Sequence, residues 1–207
     1  MTDPEPTLSI IVGTGGRPTL SRTLASVTPQ LRPGDEIMIL CDDSGDAGDT
    51  PRMGAMPRAS GTHLAFLDDD DVYAPDALEK MRRFAREHPG RIGIFKMEHV
   101  VGTTHWRKDE PVLRYANVST QTFLVPNIPG KLGRWLEQPR PHDPGKTYAG
   151  DYMFLTETIE LQGQEPVFVD EVTVYVRPTG RLRRVWARAR YRAALGTRLR
   201  RLRGEPS

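Results

Sequence analysis

The chain has 207 residues, enough for one sizeable domain or one domain with an appendage. Apolar residues make up 37% and charged residues 27%, the balance of a soluble globular protein, and no apolar run approaches the length of a bilayer crossing. Cys41 is the sole cysteine, which excludes an internal disulfide. With no basic, apolar leader in Met-Thr-Asp-Pro-Glu-Pro, the cytoplasm is the expected location.

The net charge of +2 conceals two halves of opposite sign. Residues 181–207 hold ten arginines and one acid, a charge of +9, whereas residues 1–180 hold 19 basic and 26 acidic side chains, a charge of −7. The expected organisation is a disordered lead over 1–7, a body over 8–180 and a basic amphipathic helical tail over 181–207.

In chain order, Leu8 to Val12 is a continuous β-branched run of the kind found in a buried parallel strand. Gly13-Thr-Gly-Gly-Arg-Pro18 breaks it, and Leu20, Leu24, Val27 and Leu31 recur at helical spacing. Glu36 to Cys41 reads as a second buried strand ending at Asp42-Asp43, so the chain opens strand–helix–strand, an α/β signature. A helical turn or two is expected around 52–59 and a third strand over 62–67. That strand runs into Asp68-Asp-Asp-Asp71 and a helix from about Tyr73 to His88. A strand over 91–101, a turn, another extended piece and a strand over 120–125 follow. Residues 126–148 hold five prolines and read as a long functional loop with a short helix near 132–136. A helix over 152–162 and one bent strand, or two short ones, over 167–176 complete the body.

Three strand ends carry the chemistry: Thr14-Gly-Gly-Arg17, Asp42-Asp43 and Asp68 to Asp71. In a parallel sheet these ends share one edge, where open α/β folds place ligands. Carboxylates there suit Mg2+ or Mn2+, which take one or two protein carboxylates plus phosphate oxygens. A solvated acidic loop is the plain alternative for the acid run. The glycine turn fits neither a dinucleotide fingerprint nor a P-loop, and the five histidines lack zinc spacing, so they read as structural or solvated. Trp106 and Trp135 could stack on a sugar or fill the core, and the core is the expected place for them.

Over residues 8–177 the chain resembles the GT-A glycosyltransferases of the family 2 type, which move sugars from nucleotide diphosphates. Ile10 to Pro18, Ile37 to Ser44 and Arg58 to Asp71 are the stretches similar to that family. The resemblance implies a GT-A-like α/β fold, a compact mixed sheet flanked by helices. It also implies a donor site of Thr14, Gly15, Arg17, Asp42, Asp43, Arg58, Asp68 and Asp69, and a metal held by Asp68 and Asp70. Asp151, in Gly150-Asp-Tyr152, falls where the family carries its catalytic carboxylate. A carboxylate there suits the base that takes a proton from an attacking hydroxyl. Helix N-capping is its ordinary alternative, and Asp143 and Glu157 are lesser candidates. The pattern departs from the family at Gly13 and Gly15, in a shortened segment after Asp43, and in a missing histidine around Tyr175 to Gly180.

The implied function is metal-dependent, inverting sugar transfer from a nucleotide-diphosphate donor. The acceptor side would lie over 103–148, and lipid-linked saccharide, protein and modified DNA are all compatible acceptors. A nucleotidyltransferase on the same fold and a non-catalytic module binding nucleotide sugars or polyanions are the alternatives. In the tail, Leu182, Val185, Trp186, Ala189 and Ala193 share one helical face among arginines. That pattern fits an anionic membrane surface, a polyanion such as DNA, or docking on the acidic body or on a second copy as a homodimer.

Overall fold

The computed structural model describes residues 5–41, 48–99, 104–105, 110–115, 117–135 and 149–177. The tail over 181–207, Asp42 and Asp43, Trp106, His142 and Asp143 therefore lie outside the described residues.

One mixed sheet organises the body. Its strands are β1 (Leu8–Thr14), β2 (Glu36–Cys41), β3 (His63–Asp68), β4 (Val72–Tyr73), β5 (Gly93–His99), β6 (Thr104–His105), β7 (Phe123–Pro126) and β8 (Val167–Val176). They lie in the order β2-β1-β3-β7-β5-β8-β4, with β6 paired to β5. β1 runs parallel to both β2 and β3, whereas β7 is antiparallel to β3 and to β5. The helices are α1 (Leu20–Val27), α2 (Asp49–Ala55), α3 (Ala77–Glu87) and α4 (Gly150–Gln162).

Both faces of the central strands are covered, which is why their sequences are apolar without interruption. Ile10, Val12, Ala65 and Leu67 point into one core, with Val27 of α1 and Leu78, Met81 and Phe84 of α3. Ile11, Leu64 and Phe66 point into the other, with Ala55 of α2, Trp135, and Phe154 and Leu155 of α4. The two-residue period of a strand sends alternate side chains to opposite layers.

Several expected elements are revised by tertiary contacts. The helix expected from Tyr73 starts at Ala77, because Val72 and Tyr73 pair with Tyr175 and Val174 of β8. Tyr73 is fully buried, its hydroxyl donating to the Phe66 carbonyl at 3.1 Å. The strand expected from residue 120 starts at Phe123, after a 3-10 turn over Thr120–Thr122. No helix forms over 131–135. Gly133 instead lies flat on α4, its N–H donating to Thr158 Oγ1 at 2.8 Å, and a Cβ there would meet the Phe154 carbonyl oxygen at 2.3 Å. β8 is the single bent strand: its register against β5 shifts around Lys96, a bulge that sets Asp170 beside Lys96 and Glu171 beside Arg83. Of the lead, Thr7 exchanges hydrogen bonds with Thr62, and Glu5 lies 3.6 Å from Arg32 and also pairs with Arg86.

Away from the strand ends that bear the acids, a buried ion pair fastens α3 to the rest. Arg82 and Asp35 pair with side chains 2% and 1% exposed. Asp35 also accepts from the Leu8 and Arg32 amides at 2.9 and 2.8 Å. Arg82→Met is expected to strand that carboxylate and lower unfolding free energy by roughly 3–5 kcal/mol, read by urea denaturation.

His63 opens β3 as a buried side chain, and burial holds its pKa down to about 4 from 6.5. The unfolded chain therefore protonates first as pH falls. Stability is complete above pH 6.5 and drains away between there and about 4, by about 2 kcal/mol at pH 5. Chemical denaturation of wild type and His63→Gln at pH 7.5 and pH 5 checks this; the variant should lose the slope.

Candidate active site

β1 and β3 end side by side, with Gly13 opposite Asp68 in register. Their ends, the turn after β1, α2 and the end of β8 enclose a cleft of about 200 Å³. Thr14, Gly15, Arg17, Asp68, Asp69 and Asp70 all line it, joined by Arg52 and Arg177. One expected group is absent from its described walls. Arg58 is exposed on the 3-10 turn after α2 and does not line the cleft, while Asp42 and Asp43 fall outside the described residues.

The acid run is a tight turn rather than a solvated loop. The Asp71 amide donates back to the Asp68 carbonyl at 3.2 Å. α1 grips this turn with polar side chains: Thr23 Oγ1 donates to the Asp71 carbonyl at 2.7 Å and Arg22 to the Asp70 carbonyl at 3.0 Å. Ser26 Oγ accepts from the Tyr73 amide at 3.0 Å. This explains why the buried face of α1 is Thr23, Ser26 and Val27 and not a purely apolar stripe.

Each carboxylate has its own environment. Asp69 is buried and accepts from Thr14 Oγ1 at 2.7 Å, with Arg17 at 3.3 Å. Asp70 Oδ2 faces two guanidiniums, Arg17 at 2.8 Å and Arg177 at 3.0 Å. Asp68 pairs with Arg52, which is itself held by Asp49 at 3.5 Å and lies 5.8 Å from the Trp135 ring centroid. Asp71 is 1% exposed and accepts from Gln121 Nε2 at 2.9 Å and from the Arg177 amide at 2.7 Å. Burial, reinforced by the charge of Asp68, pushes the Asp71 carboxyl up to about 7, and burial raises Asp68 despite Arg52.

Oxygens of Asp68, Asp70 and Asp71 lie within 4.8 Å of one another. This donor set fits a hard divalent cation such as Mg2+ or Mn2+. Asp71 is buried and Asp68 half-buried, and both carboxyls are raised, so a divalent ion would favour their ionised forms. Asp68 and Asp70 are thus brought together as expected; Asp71 joins them, while Asp69 turns away to Thr14.

Asp151 sits in the first turn of α4, whose N-cap is Ala149, so helix capping does not explain it. Its Oδ1 accepts from Thr120 Oγ1 and, at 3.2 Å, from Trp135 Nε1. Beside Thr120, Gln121 Nε2 donates to both Asp68 and Asp71. The 3-10 turn therefore ties Asp151 to the acid cluster, and the negative charge of Asp151 is one of the influences that raise Asp68. Glu157, by contrast, is occupied by the amide and guanidinium of Arg134. Trp135 lies in the core as expected, stacked on Phe154 at 3.9 Å, but its indole N–H serves the site as well.

Sequence reasoning missed Arg52, Thr120, Gln121 and Arg177. The polar run Ser119-Thr-Gln-Thr122 before an apolar strand was a readable signal for the turn; its capping box forms between Ser119 and Thr122. Nothing in the sequence singles out Arg52 or Arg177 among so many arginines.

Residues 50–135 match the model of the family described as glycosyl transferase family 2. Among solved structures, S. aureus TarS superposes with a TM-score of 0.60 at 15% identity, covering 82% of this chain and 36% of that one. TarS 1-349 in complex with UDP-GlcNAc gives 0.59 at 16% identity, over 82% of this chain and 58% of that one. Its complex with UDP gives 0.56 at 17%, over 82% and 60%. The chain thus spans less than two thirds of these structures' length. No curated protein matches it in sequence. The fold is that of the GT-A glycosyltransferases.

Arg52→Met is expected to leave Asp68 without its guanidinium partner. The loss should be about 2 kcal/mol of stability in denaturant titrations, less than for a fully buried pair because the Asp68 side chain is 35% exposed.

Proposed function

We propose that this chain is a metal-dependent, inverting glycosyltransferase that moves a sugar from a nucleotide-diphosphate donor to an acceptor hydroxyl. The observation that carries the proposal is the hydrogen-bonded path from Asp151 through the Thr120–Gln121 turn to Asp68 and Asp71. It couples a fixed carboxylate to a cation-ready cluster at the end of the sheet. The family match over residues 50–135 and the likeness to TarS support the donor class. Because one TarS structure contains UDP-GlcNAc, uridine diphosphate sugars are the first donors to test.

In this scheme Asp68 and Asp70, with Asp71 beside them, hold Mg2+ or Mn2+, which when bound supplies positive charge to the donor diphosphate. Thr14, Gly15, Arg17 and Asp69 border the donor, and Asp42 and Asp43 are assigned to its nucleoside end. Asp151 accepts the acceptor's hydroxyl proton as that oxygen bonds to the anomeric carbon. The bond from that carbon to the diphosphate breaks, its electron pair leaving on the phosphate oxygen, and the configuration inverts. Two hydrogen bonds on Oδ1 fix the orientation of Asp151 and leave Oδ2 to take the proton. Residues 103–148 are assigned to the acceptor.

Asp151→Asn should lower kcat by about 10²–10⁴-fold while donor affinity, followed by calorimetry with Mn2+, stays within a few-fold of wild type. Equal loss of binding would overturn the role of Asp151 as base. Release of pyrophosphate from a nucleoside triphosphate, with no release of nucleoside diphosphate from sugar donors, would establish the nucleotidyltransferase alternative instead.

A further inference from the structure

Arg177 is the one non-glycine residue at positive φ, 43°, among the described residues. A side chain in that left-handed region is strained, and glycine would relieve the strain. The pair that Arg177 makes with Asp70 does not offset it strongly, because its side chain is 73% exposed and solvent screens such contacts. Its structural service to the acid cluster, the hydrogen bond to Asp71, comes from its backbone amide, which glycine supplies equally. Stability alone gives no reason for arginine here.

The cleft does. Arg177 lines it together with Arg17, and both guanidiniums converge on the same oxygen, Asp70 Oδ2, at 3.0 and 2.8 Å. Two positive forks on one carboxylate oxygen are more cation than Asp70 requires. Asp70 is also among the residues that would hold a divalent ion. A guanidinium fork matches phosphate geometry as well as it matches carboxylate.

Resting on the donor reading above, we infer that Arg177 binds the diphosphate of the nucleotide, exchanging its contact with Asp70 for phosphate oxygens when the ligand enters. Arg177, from the end of β8, is then a second arm to the contact expected of Arg17, from the turn after β1. No covalent step is involved. The exchange keeps every positive charge paired, first by Asp70 and then by the diphosphate.

The test is calorimetry on the full chain with Mn2+ alone, with inorganic pyrophosphate, and with a panel of nucleoside diphosphates in the presence of Mn2+. R177G should have an unchanged or higher melting temperature, and Mn2+ affinity unchanged or tighter, since a competing cation has gone. It should bind the nucleoside diphosphate and pyrophosphate on the order of 10- to 100-fold more weakly, the effect of one charge-assisted contact. R177Q, which keeps the strained backbone and loses the charge, should show the same loss. Unchanged nucleotide affinity in R177Q would overturn the inference even if R177G weakens, because the loss would then belong to the backbone. A parallel fall in Mn2+ affinity or melting temperature would also overturn it, since Arg177 would then merely build the cluster. Failure of the wild type to bind any nucleoside diphosphate would overturn the donor reading itself, a distinct result.

Discussion

Four aspartates at the end of one strand can be held together only if their mutual repulsion is cancelled. At about 4 Å, two like charges near a protein surface repel by roughly 4 kcal/mol at an effective dielectric of 20, far more than one side-chain contact returns. Arg17, Arg52 and Arg177 supply three positive charges against Asp68 to Asp71. Burial, with the neighbouring acids adding to it, leaves the carboxyls of Asp68 and Asp71 resisting ionisation. The architecture follows from this constraint. α1 turns hydroxyls and a guanidinium toward the turn's carbonyls, α2 delivers Arg52, and β8 ends where its last residues can reach Asp70 and Asp71.

A closed circuit joins elements that are far apart in the chain. Arg52 pairs with Asp68, Asp68 accepts from Gln121, and the neighbouring Thr120 donates to Asp151. Asp151 accepts from Trp135, whose ring faces Arg52. Buried polar networks of this kind are costly when incomplete and rigid when complete. This one sits on an aromatic floor of Phe66, Phe123, Trp135 and Phe154, packed edge-on and stacked, which limits how far any member can move. In the proposed reaction the base would serve the oxygen that attacks and the cation the diphosphate that leaves, and both would need that fixed spacing.

The sheet presents the site at the paired ends of β1 and β3. β2 forms its edge, and beyond Cys41 the chain passes directly into the aspartates assigned to the nucleoside. The antiparallel β7, β5 and β4 complete the sheet and anchor the helices behind it.

The order of the main elements was legible in the sequence, because strands buried on both faces must be continuously apolar and amphipathic helices must repeat near 3.6 residues. The convergence of Thr14, Arg17 and the Asp68–Asp71 run was legible for the same reason, since parallel strands end on a common edge. Tertiary contacts decided what local pattern could not. Val72 and Tyr73 became a strand because β8 offered a partner, and residues 131–135 lie flat because Gly133 packs against α4 without a side chain. The choice of Arg52 and Arg177 from among many arginines, and the pairing of Asp151 with Thr120 and Trp135, exist only in three dimensions. Sequence spacing fixes which residues share an element, while electrostatic compensation depends on which charges are neighbours across elements.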